Sequence, residues 1–256
     1  MRRLHVDVLG SGPRVVLVHG SVGSGWSTFW AQRPLEERFT LVVPDRPGTP
    51  PNPPVEHVDF EEQAPLVAEL LEDGAHLVGH SYGGVISLYA AALRPEAVRS
   101  LTLIEPPAFG VALEDPAVAR LVEELHALWA QADSLEPAVF LSEFSSRIIG
   151  RRFPPTAELP PDVEQGVRTL MVERLPSEAD PPLDELARTP FPKLVVSGGH
   201  SAAFDAVCDV LEERLGAERA ELRGAAHNAQ QAPGFNERLA AFLGTGEARR
   251  NVSSRS

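Results

Sequence analysis

The chain repeats one pattern, a short unbroken apolar run followed by a segment of helical periodicity. RVVLVH at 14–19, TLVVPD at 40–45, AHLVGH at 75–80, SLTLIE at 100–105 and KLVVSG at 193–198 are the runs. A strand with one face in water alternates apolar and polar side chains, whereas a strand covered on both faces has no need of polar positions. Unbroken runs therefore point to a parallel sheet between two helical layers. LVAELLED at 66–73 and GGVISLYAAALRP at 83–95 supply helical spacing between the runs. The order predicts the α/β class, with a doubly wound, mostly parallel sheet.

The rhythm stops between Pro106 and Thr189. Amphipathic patterns (VARLVEELHALWAQA, PAVFLSEFSSRII, DVEQGVRTLMVERL) fill this interval, separated by proline pairs at 154–155, 160–161 and 181–182, and nothing in it reads as a strand. An all-helical insertion in such a sheet reads as a lid; a packed helical subdomain with no role in access is the alternative. The expected organisation is an α/β core over 1–106 and 189–244, a helical cap over 107–188, and a small polar tail over 245–256 that is expected to be disordered.

A chain of 256 residues can bury one sizeable core. Its formal net charge of -13 opposes binding to phosphate backbones and anionic lipid, so a small-molecule substrate is expected, with no nucleic-acid or membrane partner. Cys208 is the only cysteine, which excludes an internal disulfide and a cysteine-built metal cluster and fits a reducing compartment. His5 and Asp7 interrupt the apolar residues of MRRLHVDVLGSG, which does not read as a signal peptide, and no 18 consecutive apolar residues occur. A cytoplasmic location is expected.

Gly79-His80-Ser81-Tyr82-Gly83, with Gly84 following, ends one apolar run and opens a helical pattern. A strand-turn-helix corner of this type presents a nucleophile on a tight turn. Glycines two residues to either side remove Cβ atoms that would collide, and Ser81 is left at a helix N-terminus whose dipole favours developing negative charge. After RVVLV, His19-Gly20-Ser21 leads into the glycine-rich VGSGW, a loop suited to close backbone approach. Ser21 and Tyr82 can each direct a backbone N–H at a tetrahedral oxyanion, with His19 bracing the loop. RAELRGAAHNAQQAPGFNERLAAFL places His227 between a last strand and a last helix, the best position among the eight histidines for a general base.

HGS at 19–21, the acid-arginine turn PDRPG at 44–48, GHSYGG at 79–84 and His227 near the C-terminus together resemble the α/β-hydrolase superfamily, over nearly all of the chain outside the lid. The resemblance implies acylation of Ser81, proton transfer by His227, and no metal or organic cofactor. Serine at position 81 points away from haloalkane dehalogenases and epoxide hydrolases, which attack with a carboxylate.

The chain departs from that pattern at its acid. Most members carry one a few residues past the strand that here is KLVVSG, where this chain has Ser201. Asp205 lies at the edge of an apolar helix face formed by Phe204, Val207, Cys208, Leu211 and Leu215, and reads as a first-turn acid behind a Ser201 N-cap. Glu105 ends the strand expected beside that of the nucleophile, at the carboxyl edge where catalytic groups gather, and Pro106 and Pro107 favour an extended exit. Some members of the superfamily, haloalkane dehalogenases among them, keep their acid after this earlier strand. Glu105 is the favoured acid, Asp205 the alternative, and a chain with no acid the third possibility.

Ser81, His227 and Glu105 predict a serine hydrolase of carboxylesterase or lactonase type, cleaving a small to medium ester or lactone through an acyl-enzyme. The same triad could serve carbon-carbon bond hydrolysis, a lyase or acyl transfer, and a non-catalytic ligand receptor could use the same fold. Candidate pocket residues are Trp26 and Trp30 near the oxyanion loop and Phe109, Leu125, Trp129 and Phe140 in the cap.

Overall fold

A computed structural model describes residues 4–155 and 158–253. Strands β1 (Val6–Leu9), β2 (Arg14–Val18), β3 (Thr40–Pro44), β4 (Ala75–His80), β5 (Val98–Ile104), β6 (Lys193–Ser197) and β7 (Glu218–Glu221) form one sheet in the order β1-β3-β2-β4-β5-β6-β7. β1 runs antiparallel to β3, and every other pairing is parallel. The unbroken runs behave as their pattern requires: Val16 and Val18 enter one buried cluster while Val15 and Leu17 enter the other. β1 and β7 are the strands that the apolar runs do not reveal; in β7, ERAE buries only Ala220. In β1, VDVL alternates as an edge strand does, with Val8 exposed.

The helices are α1 (Gly25–Phe29), α2 (Phe60–Glu69), α3 (Tyr82–Leu93), α4 (Pro116–Trp129), α5 (Pro137–Ile148), α6 (Pro161–Met171), α7 (Leu183–Ala187), α8 (Ala202–Leu215) and α9 (Phe235–Ser253). Asp59 caps α2 by accepting the Glu61 and Glu62 N–H groups, and Asp115 caps α4 with Pro116 as the first helical residue. α2, α3 and α8 cover one face of the sheet through Phe60, Ile86 and Phe204; α1 and α9 cover the other through Phe29, Phe235 and Leu239. Between β5 and β6 lie α4 to α7 with short 3-10 turns, and the one β-bridge recorded outside the sheet joins Glu173 of this segment to Val58.

Two local expectations change. Residues 245–253 belong to α9 instead of being disordered, and 254–256 lie outside the described residues. Glu247, Ala248 and the two arginines after it favour a helix, and Gly246 seats α9 against the Arg99 backbone and the His76 ring. Ser201 holds the N-cap position of α8 without a side-chain cap; only its carbonyl contributes, accepting the Asp205 N–H at 2.9 Å. Among the described residues, no helix is long and apolar enough to cross a membrane.

Candidate active site

Parallel strands bring the carboxyl ends of β2, β4, β5 and β6 to one edge of the sheet, and the site is built there. Ser81 follows β4 with φ 51° and ψ −128°, a strained conformation for a residue with a β-carbon. Its N–H donates to the Ile104 carbonyl at 2.9 Å and its carbonyl accepts from Gly84 at 2.7 Å, so the turn is held from both sides. A Cβ on Gly79 would collide with Ser87 and Gly83, and one on Gly83 with the Val18 and His19 carbonyls. This corner therefore closes only with glycine at both positions.

His227 Nε2 lies 2.9 Å from Ser81 Oγ, and His227 Nδ1 lies 3.4 Å from Glu105 Oε2. The Glu105 side chain is fully buried, and its other oxygen accepts the Gly198 N–H. Asp205 takes no part: it sits in α8 and faces Arg219 at 3.7 Å. The His227 carbonyl accepts the Nε2–H of His80 at 2.9 Å. Burial, then the neighbouring His227, lowers the His80 pKa to about 3, so His80 is a neutral brace for the loop that carries His227.

Burial alone would raise the Glu105 pKa, but the imidazoles of His200 and His227 and the Gly198 N–H outweigh it and bring the value to about 2. A carboxylate depressed from its ordinary 4.5 contributes stability that is fully present above that pH and is lost as pH falls towards 2, on the order of 3 kcal/mol. Urea denaturation at pH 7 and pH 3 should show about 2 kcal/mol of this loss in the wild type, and Glu105→Gln should remove most of it.

Glu105, His200 and His227 are also the one group of titratable side chains among the described residues whose nitrogen and oxygen atoms converge within 4.8 Å, close enough to offer a metal ion three ligands. Two of the three also belong to the chain of contacts from Glu105 through His227 to Ser81.

The loop after β2 is held by a second cluster. His19 donates Nδ1–H to the Gly20 carbonyl at 2.7 Å and accepts the Arg46 N–H on Nε2 at 2.9 Å. Burial and the nearby Arg46 lower the His19 pKa to about 3, consistent with a bracing role. The Arg46 guanidinium bonds the Gly20 carbonyl at 2.9 Å and Glu173 at 2.8 Å, and lies 4.6 Å from the centre of the Tyr82 ring. Ser21 Oγ–H donates to the other Glu173 oxygen at 2.5 Å, which leaves its N–H as the group Ser21 can offer a ligand. Arg46 and Glu173 are both buried, and removing one partner of such a pair strands the other; Glu173→Ala is expected to cost about 3 to 5 kcal/mol in chemical denaturation.

Ser81 and His227 open into a cavity of about 550 Å³, walled on one side by Leu141, Phe144, Ile148 and Val163. A niche of about 20 Å³ lies beside it, bounded by Ser21, Ser81, Tyr82, Phe109, Leu125 and Trp129. Three expected pocket residues fall elsewhere. Trp26 packs into the core beneath α9, Trp30 is 61% exposed, and Phe140 is buried against Trp129, Leu128 and Val167. Sequence reading also missed Leu141, Phe144, Ile148, Val163, Glu173, His80 and His200. The apolar positions of PAVFLSEFSSRII signal helix packing, and only the fold tells which of them face a cavity.

The model of the alpha/beta hydrolase family matches residues 15–239. A pimeloyl-[acyl-carrier protein] methyl ester esterase from Methylococcus capsulatus is 39% identical over 105 residues, which is 40% of this chain and 40% of that protein. Lipase LipV from Mycobacterium tuberculosis is 33% identical over 141 residues, 53% of this chain and 51% of the relative. The aligned stretches thus span about half or less of these curated relatives. An alpha/beta hydrolase structure from Sphaerobacter thermophilus superposes with a TM-score of 0.70 at 24% identity, over 94% of this chain and 96% of the other. With the family model covering most of its length, this chain belongs to the alpha/beta hydrolase family.

Proposed function

We propose that the chain is a serine esterase acting on small to medium carboxylic esters or lactones. The observation that carries this reading is the 2.9 Å contact between Ser81 Oγ, on its strained turn, and His227 Nε2. Ser81 Oγ attacks the ester carbonyl carbon as His227 takes its proton. The N–H groups of Ser21 and Tyr82 receive the oxyanion, and Glu105 stabilises the imidazolium. Collapse expels the alcohol, protonated by His227, and a water activated by the same histidine releases the acid. The similarity to a methyl ester esterase and to a lipase supports this chemistry.

The segment 107–188 is read as a cap, because α5 and α6 supply Leu141, Phe144, Ile148 and Val163 to the cavity wall. Apolar walls with few polar groups suit an acyl or alkyl chain. A cytoplasmic location accords with the single, buried Cys208.

A fluorophosphonate probe should label Ser81 stoichiometrically, and purified protein should hydrolyse short p-nitrophenyl esters in preference to vinylogous diketones. Folded protein that neither labels nor turns over any ester would sink the reading; preference for the diketones would move it to carbon-carbon bond hydrolysis.

A further inference from the structure

Glu105 Oε2 faces two imidazoles. His227 Nδ1 lies 3.4 Å away and His200 Nδ1 lies 3.5 Å away, from the loop where β6 runs into α8. We propose that His200 is a positioning residue that shares the charge of Glu105 with His227 and thereby sets the pH at which the base becomes free; this rests on the serine esterase reading above.

The tautomer carries the argument. His200 Nε2 sits 2.9 Å from the Ile148 carbonyl, which can only accept, so Nε2 bears a hydrogen. A neutral His200 therefore turns the lone pair of Nδ1 towards a buried carboxylate oxygen. That atom is itself buried and has no hydrogen-bond partner other than this contact. A second proton on Nδ1 replaces this repulsion with a charge-assisted N–H···O contact. Burial opposes the added charge, yet the Glu105 carboxylate outweighs it, and the His200 pKa is raised from 6.5. The other groups facing the ring are His227 at 5.8 Å between ring centres, Phe204 at 5.5 Å, and the Asp205 carboxylate of α8, whose charge acts in the same direction as that of Glu105.

With His200 charged, one oxygen serves two donors, and Glu105 pulls less strongly on the proton of His227. The charge of Glu105 acts on His227 undivided once His200 is neutral or absent. His200 lines neither cavity, so its influence reaches the substrate only through the triad and through Ile148, whose side chain borders both spaces.

The test compares pH profiles of kcat/KM for wild type, His200→Phe and His200→Asn, each normalised to the fraction of Ser81 labelled by a fluorophosphonate. Both variants are expected to move the acid limb to higher pH, by about one unit, with KM unchanged. An acid limb that stays in place or moves down in fully labelled variants overturns the proposal. Should His200→Phe fail to label, His200→Asn, which keeps a neutral donor towards Glu105, decides the question alone. Absence of labelling in the wild type would instead count against the serine esterase reading.

Discussion

Ser81→Ala is expected to reduce ester turnover by about 10⁵-fold or more while leaving urea-induced unfolding close to that of the wild type. Removal of one oxygen takes away the hydrogen-bond partner of His227 Nε2 and the atom proposed to form the acyl bond. The turn itself is set by the glycines at 79 and 83 and by backbone bonds to Ile104 and Gly84, none of which involves the hydroxyl. Activity and stability should therefore separate cleanly. Residual turnover within about tenfold of wild type, in a preparation free of contaminating esterase, would remove Ser81 from the mechanism.

Glu105→Gln is expected to lower kcat by about 10⁴-fold, whereas Asp205→Asn should stay within about twofold. The amide keeps the shape of the carboxylate but presents a donor that favours the wrong imidazole tautomer, with Nε2–H aimed at Ser81. It also leaves the imidazolium that forms during attack without a counter-charge. Asp205 faces Arg219 at 3.7 Å on a partly exposed surface, where an ion pair contributes roughly 0 to 1 kcal/mol and touches no reacting atom. Steady-state kinetics on one ester, with both variants titrated by the probe, decides between them. The reverse ranking would return the acid to α8.

Much of this was legible before any coordinates. Continuous apolar runs located β2 to β6 because strands buried on both faces leave no polar signature, while β1 escaped because an edge strand alternates and its pattern is short. The position of Glu105 follows from chain order, since the strand after the helix that Ser81 opens pairs with the strand that leads into Ser81. His200 is hidden for a different reason: an imidazole that contacts Glu105 from the loop SGGHS has no local signature. Glu173 stands in the middle of MVERL with no local signature, and only the approach of that segment to Arg46 and Ser21 gives it a partner. The tryptophans at 26 and 30 show the converse error, because aromatic size near a catalytic loop does not reveal which way a ring faces.

The Glu173 clamp also bears on how substrate admission and chemistry relate in time. Glu173 belongs to the helical segment, yet it secures the Ser21 hydroxyl and, through Arg46, the Gly20 carbonyl of the sheet-edge loop. A motion that lifted this segment to admit an ester would withdraw that anchor together with the cavity wall, slackening the loop whose Ser21 N–H is proposed to receive the oxyanion. Entry and turnover would then be mutually exclusive states. The enzyme would be competent only after engulfing its substrate, and a half-seated ester would meet a nucleophile without its electrostatic partner.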